Sequence, residues 1–397
     1  MRSWPHMVVR EFWLHRIEQA WQSHSVIWLM GVRRAGKTTL ARSIPNVRYF
    51  DCELPSVRRM LDDPESFLDK YSGTNLVLDE VHRLDNPSEV LKIAADHYPR
   101  TRILATGSST LGASAKFRDT LAGRKTEIWL TPMNSLDLGG ADGNWERRML
   151  HGGLPGFYMA DEIPEHEFQE WMDAYWAKDI QELFRLERRQ SFQRFTELLM
   201  TQSGGIFEAT NLAQPCGVSR TTISNYLSVL AATFVAHIIQ PFSSNPAREI
   251  IAAPKVYGFD TGFVCYHRGW DRLRRTDFGV LWEHIVLNEI HSRAPAARVQ
   301  YWRDKQKHEI DFIIAPKRAE GPIAIECKWA QGDFDPGNLT IFRRLYPKGA
   351  NYVVSHDART PYSRKYGPNE VQFIGLDGLI RVLAKPARVR AAPARKA

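Results

Sequence analysis

Two sets of residues in this chain have types and spacing suited to phosphate chemistry. The first is Gly31-Val32-Arg33-Arg34-Ala35-Gly36-Lys37-Thr38-Thr39. In this G-x-x-x-x-G-K-T loop the glycines let the backbone curl, so that the amides of Gly31, Arg34, Ala35, Gly36 and Thr39 can point at the phosphates of ATP. Lys37 is expected on the β- and γ-phosphates and the Thr38 hydroxyl on Mg²⁺. The companion is Asp79-Glu80, where Asp79 is expected to hold Mg²⁺ and Glu80 to orient and polarise the attacking water. The second set is Glu283, Asp311, Glu326 and Lys328. Asp311 is followed, after fourteen residues, by Glu326-Cys327-Lys328. Side chains alternate along a strand, so Glu326 and Lys328 share a face and Cys327 turns away into the core. Three carboxylates suit a hard cation, Mg²⁺ or Mn²⁺, and metal plus lysine would activate water against a phosphodiester. Glu309 lies on the face of Asp311.

Other residues carry weaker signals. Ser108 follows an apolar stretch and is placed to sense the γ-phosphate. Arg124, with Arg118 as the fallback, is placed to reach a neighbouring subunit's γ-phosphate. Ser219 reads as the N-cap of a helix whose front presents Arg220, Thr221, Thr222 and Asn225 to a DNA major groove, after a turn at 215–218. Asp260 reads as a turn cap rather than a chemical group.

The elements that must position these residues follow from hydrophobic periodicity. An amphipathic helix over 10–21 precedes the strand 26–30, the loop and its helix. Strands at 47–51, 75–80, 102–109 and 127–130 alternate with helices at 61–71 and 88–97, which predicts a parallel α/β sheet. Its C-terminal edge would bring Asp79 beside the loop. Helices at 144–150 and 165–188 form an aromatic-rich lid, and 192–239 has a helix-turn-helix rhythm. From 278 the order is helix, three strands, helix, strand, with a last helix at 376–383.

The loop, the Leu78-Asp79-Glu80 strand end, Thr106-Gly107-Ser108-Ser109, Leu121-Ala122-Gly123-Arg124 and Gly152-Gly153-Leu154-Pro155 occur in that order. In this the chain resembles the AAA+-superfamily ATPases of bacteria and archaea that carry a C-terminal domain of uncharacterised function. The resemblance covers nearly the whole chain. It implies a nucleotide-dependent, oligomeric ATPase, with a hexamer as the first expectation, and a C-terminal restriction-endonuclease-like fold. His82 and Gly156 depart from the pattern, where glutamine and an acidic residue are common. The Asp311, Glu326 and Lys328 set, with Glu283 on its helix, resembles the PD-(D/E)xK nuclease core.

Bulk composition is consistent with this. A chain of 397 residues exceeds one compact core. The reading is a P-loop ATPase domain at 1–140, a helical lid at 141–190, a winged helix at 191–250, a nuclease-like α/β domain at 251–384 and a disordered basic tail at 385–397. The net charge of +8 permits nucleic acid as a partner, DNA above RNA. The four cysteines are scattered, which argues against a disulfide framework or zinc site and fits a reducing cytoplasm. No stretch has the length and apolarity of a membrane span or signal peptide. The expected activity is ATP hydrolysis coupled to nucleic acid, with DNA cleavage by the C-terminal domain. Its rival is a non-cleaving regulatory or remodelling ATPase.

Overall fold

A computed structural model describes residues 8–107, 121–140, 143–184, 188–243, 253–315 and 321–384. Contacts divide the chain into two compact units, 1–239 with 253–277, and 240–252 with 278–397.

The first unit is built on β1 (Val26–Met30), β2 (Val47–Asp51), β3 (Asn75–Asp79), β4 (Arg102–Thr106) and β5 (Lys125–Trp129). They are parallel and lie in the order β2-β3-β4-β1-β5. Strand β1 is buried along its whole length, as expected of an apolar strand covered on both faces. Trp28, Leu78 and Ala105 of the sheet share a core with Leu91 and Ala94 of the helix Pro87–His97. Because the strands are parallel, the ends of β1, β3 and β4 share one edge, where the chemistry collects.

Two helices expected to be continuous are broken. The segment 61–71 is replaced by Pro55–Met60 and Pro64–Lys70. The Pro64 ring would clash with a preceding helical turn, so it starts a new helix, and Asp63 caps it through the Ser66 amide. The expected helix 165–188 runs as Glu165–Tyr175, then a π-helical turn at Trp176–Ile180, then Gln181–Phe184.

Helices Arg189–Thr201, Ala209–Cys216 and Arg220–Ala232 follow, with β6 (Gly205–Ile206), β7 (Ala236–Pro241) and β8 (Lys255–Gly258) pairing antiparallel. The second helix continues through Pro215 and stops at Gly217, whose φ of 65° only glycine adopts cheaply. Residues 253–277, read from sequence as the head of the C-terminal domain, pack in this unit. Phe259 and Phe263 there stack on Trp171, Phe168 and Phe157 of the lid segment. Phe168, Trp171, Tyr175 and Trp176 are buried, as their helical spacing implied.

The second unit wraps a mixed sheet around the helix Phe278–Arg293, which is buried nearly all round. Strands β9 (Val299–Arg303), β10 (Glu309–Ile314) and β11 (Ile323–Lys328) are antiparallel neighbours. Strand β12 (Asn351–Ser355) adds in parallel to β11, and β14 (Asn369–Ile374) adds in parallel to β12. Strand β13 (Tyr362–Tyr366) closes a hairpin with β14 that the sequence pattern does not predict. Its side chains are mostly exposed, so no apolar alternation marks it. No described helix is long and apolar enough to cross a membrane.

Candidate functional sites

The loop after β1 folds as its glycines require. Gly31, Arg34 and Gly36 have φ of 154°, 62° and 94°. A Cβ on Gly31 would lie 2.5 Å from the Leu130 carbonyl oxygen, so the loop admits no side chain there. Lys37, at the start of the helix Lys37–Arg42, sends its ammonium back over the loop. It donates to the carbonyls of Gly31 at 2.9 Å and Val32 at 3.2 Å. Burial pulls the Lys37 pKa down, while Glu80 and Asp179 oppose that pull. Thr38 and Thr39 line the same cleft, of about 1140 Å³, with Glu80 and His82 across from them.

Asp79, at the end of β3, is buried. Its two carboxylate oxygens accept from the hydroxyls of Thr106, at the end of β4, and Tyr49, on β2. The Glu80 amide also donates to Thr106 Oγ1, at 3.2 Å. Glu80 turns away from the strand with φ 56° and ψ 44°, so adjacent carboxylates face different ways. Its Oε2 lies 3.1 Å from Nδ1 of His82. Burial would raise the Glu80 pKa. The His82 hydrogen bond and the charge of Lys37 outweigh it and hold the carboxylate below its ordinary range. Mg²⁺ with a nucleotide keeps phosphate and water ligands and takes only one or two from protein. The Thr38 hydroxyl and the Asp79 carboxylate fit that need.

Ser108 and Arg118 lie outside the described residues. Arg124 precedes β5, and Lys125 pairs with Val26 at the start of β1. It therefore sits about 17 Å along the strand direction from the loop of its own chain. Its Nε donates to Asp96 at 2.7 Å. Ser219 caps its helix by accepting from the Thr222 amide at 3.1 Å. Arg220, Thr221 and Asn225 are exposed and Thr222 is half-buried. Asp260 caps the helix Thr261–Arg268 by accepting from Gly262.

In the second unit Asp311 and Glu326 stand on adjacent antiparallel strands, beside the pair Phe312 and Ile325. A register shift in β10 between Ile310 and Ile313 re-aims the Asp311 segment. Asp311 Oδ2 accepts from the Cys327 amide at 2.7 Å. Lys328 Nζ lies 2.8 Å from Glu326 Oε2 and 3.7 Å from Asp311 Oδ2. The other oxygen of Glu326, Oε1, is buried with no hydrogen-bond partner among the described residues. Burial, with the charges of Asp311 and Glu283, pushes Glu326 up to about 8. Cys327 is buried in the core, as its alternation implied. Glu309 lies opposite Arg303, 3.6 Å away.

Glu283 is felt by Glu326 electrostatically, yet no described group of three or more Asp, Glu, His or Cys is placed to hold a metal ion. The Lys328 ammonium between two carboxylates supplies part of the positive charge that such a cluster would need.

Comparison with known proteins bears on the first unit most directly. Residues 23–137 match the family model described as AAA domain. This segment is thus similar to AAA domains. Residues 142–274 match a domain of unknown function (DUF8612), and residues 278–372 match another (DUF4143). An uncharacterized protein of Mycobacterium tuberculosis is 29% identical over 312 residues, which cover 75% of this chain and 69% of the relative. An uncharacterized protein of Mycobacterium bovis matches with the same figures. Among solved structures, the Walker-type ATPase of Pyrococcus abyssi is similar at a TM-score of 0.43 and 16% identity, over 66% of this chain and 96% of that one.

Several residues around the AAA-type domain escape a motif search. Arg10 is buried, pairs with Asp137 at 2.7 Å and donates to the carbonyls of Ala35 and Thr131. It thus ties the segment before the first helix to the phosphate loop. Gly153 donates to Asp260 at 2.6 Å, and a Cβ on it would lie 2.3 Å from the Arg148 guanidinium. The Gly152-Gly153-Leu154-Pro155 turn is tight for this reason, and it carries Pro155, Gly156 and Phe157 to the cleft. Only the doubled glycine hinted at this. Arg10, Tyr49 and Asp179 give no sequence signal, because their partners lie 25 to 146 positions away.

Proposed function

We propose that the chain is a Mg²⁺-dependent ATP-hydrolysing protein that acts on nucleic acid. The observation that carries it is the meeting of Lys37, Thr38 and Glu80 around one cleft, with Asp79 at the strand end just before Glu80. Lys37 and the loop amides hold the phosphates, and Thr38 and Asp79 hold Mg²⁺. The ion neutralises phosphate charge when bound. Glu80, kept ionised by His82 and Lys37, orients the attacking water and polarises it. Arg124 is too far from its own loop and serves a neighbour in a homo-oligomer, with a hexamer as the first expectation. Ser108 is the γ-phosphate sensor.

Nucleic acid is supported by the net charge of +8 and by the exposed Arg220, Thr221 and Asn225 on a capped helix. The three helices and small antiparallel sheet there act as a winged helix on DNA. In the second unit, Asp311, Glu326 and Lys328 form a PD-(D/E)xK-type core that cuts DNA. The unpartnered Glu326 oxygen is the position for Mg²⁺ or Mn²⁺.

The second reading is a non-cleaving regulatory or remodelling ATPase whose C-terminal unit only binds DNA or a protein partner. The Lys328 ion pairs with both carboxylates favour it. One experiment separates them. Labelled single- and double-stranded DNA is incubated with Mg²⁺ or Mn²⁺, with and without ATP, using wild type, Lys37→Ala and Lys328→Ala. Cutting that Lys328→Ala abolishes supports the nuclease. ATPase activity stimulated by DNA without cutting supports the second reading. ATP binding unchanged in Lys37→Ala sinks the nucleotide site.

A further inference from the structure

The π-helical turn at Trp176–Ile180 has no part in the proposed ATPase chemistry, and it points straight at the phosphate loop. Arg33, in the middle of that loop, places Nε 3.0 Å and an Nη 3.0 Å from one oxygen of Asp179. The Asp179 side chain is 11% exposed and that of Arg33 25%. The indole N–H of Trp171 donates to the Arg33 carbonyl at 2.9 Å. The next loop residue, Arg34, meets Glu170 at 3.4 Å. The loop is therefore fastened to a helix about 140 positions away by two side-chain pairs and one backbone bond.

The turn explains how one side chain can do this. A π-turn takes one residue more than an α-turn and so rotates the downstream helix relative to the upstream one. Trp176, Asp179 and Ile180 are buried, and Lys178 stays exposed at the cleft wall. Asp179 thereby faces the phosphate loop. The Arg33 charge is felt by both Lys37 and Glu80, the residues that bracket the γ-phosphate position.

We propose that Arg33 reads the γ-phosphate and that Asp179 is its counter-anion, released when a triphosphate binds. This rests on the proposed nucleotide binding. A triphosphate competes with Asp179 for the guanidinium, whereas a diphosphate lacks the group that reaches it. The Arg33–Asp179 pair then discriminates ATP from ADP, and its opening reports the bound nucleotide to the helix Glu165–Tyr175. Arg33 is the contact residue and Asp179 a positioning residue.

The test is calorimetric titration of β,γ-imido-ATP and of ADP, each with Mg²⁺, into full-length wild type, Asp179→Asn, Arg33→Ala and the double variant. Asp179→Asn should tighten triphosphate binding by about fivefold and leave ADP within about twofold, as expected for a partly buried ion pair. Arg33→Ala should weaken the triphosphate alone. Adding Asp179→Asn to Arg33→Ala should then change nothing. Equal shifts for both nucleotides in either variant overturn the proposal, as does a gain from Asp179→Asn that survives in the double variant. Should Asp179→Asn fail to fold, Arg33→Ala decides alone by the same criterion. Wild type that binds neither nucleotide overturns both this proposal and the nucleotide-binding function beneath it. Wild type that binds both with no selective effect of Arg33→Ala overturns this one only.

Discussion

Asp79 and Glu80 are neighbours with opposite surroundings. Asp79 ends a buried strand and accepts from two hydroxyls, while Glu80 turns through a left-handed conformation into the cleft. A non-glycine residue there costs about 1 kcal/mol, which the surrounding fold must offset. The separation suits the proposed division of labour, one carboxylate for the metal and the other for the water. Glu80→Gln should keep ATP bound and slow turnover by about a hundredfold or more, as loss of a general base does. Equilibrium binding beside single-turnover hydrolysis checks this, and full turnover would move the base elsewhere. The depressed pKa of Glu80 has a definite sign. Its stabilising contribution is present above the ordinary carboxylate value, about 4.3, and is lost as pH falls through the lower folded value. His82 lies beside Glu80 at 3.1 Å, so His82→Ala should raise the Glu80 pKa and move the acid limb of kcat to higher pH. An unmoved limb would show that the contact does not tune the base.

At the scale of elements, the chemistry depends on turns as much as on strands. The Gly152-Gly153 turn packs against Arg148, which is buried, donates to the Met133 carbonyl and to Thr261, and lies 3.5 Å from Asp260. Asp260 in turn caps the helix Thr261–Arg268. An added methyl at Gly153 would have to displace a guanidinium that has nowhere to go. Gly153→Ala should therefore cost about 3 kcal/mol and lower the thermal midpoint, a typical penalty for overpacking a filled site. A midpoint within a degree or two of wild type would show that Arg148 can swing aside. The same turn delivers Pro155 to within 3.7 Å of a Cβ built on Gly36, so its distortion should also weaken nucleotide binding.

At the scale of the molecule, Arg124 bears on assembly. Its place at the start of β5 puts it at the sheet edge opposite the loop, and its pairing with exposed Asp96 is worth little in water. Arg124→Ala should leave ATP affinity and thermal stability intact. It should lower hydrolysis per protomer by about a thousandfold in the assembled form, as loss of an arginine finger does. Turnover measured against protein concentration, with sedimentation at the same concentrations, checks this. An equal loss in a dilute monomer would refute action between subunits.

The phosphate loop, the Asp79-Glu80 strand end and the five parallel strands were legible in the sequence. Local patterns specify them: a buried strand, glycines where φ must be positive, and a lysine at a set offset. The D…E-x-K spacing also placed Asp311, Glu326 and Lys328 together, because strand alternation is a local property. The sequence did not disclose that Lys328 would sit between the two carboxylates or that Glu283 would bear on Glu326 electrostatically. Those outcomes depend on how a helix packs on a sheet and on a register shift within β10. The breaks at Asp63-Pro64 and at the π-turn were partly legible, the first from proline, the second not at all. Arg10, Tyr49, Arg148 and Asp179 came only from the tertiary structure. Each is an unremarkable polar residue along the chain, and each matters because folding brings it beside a partner that satisfies its charge or hydrogen bond.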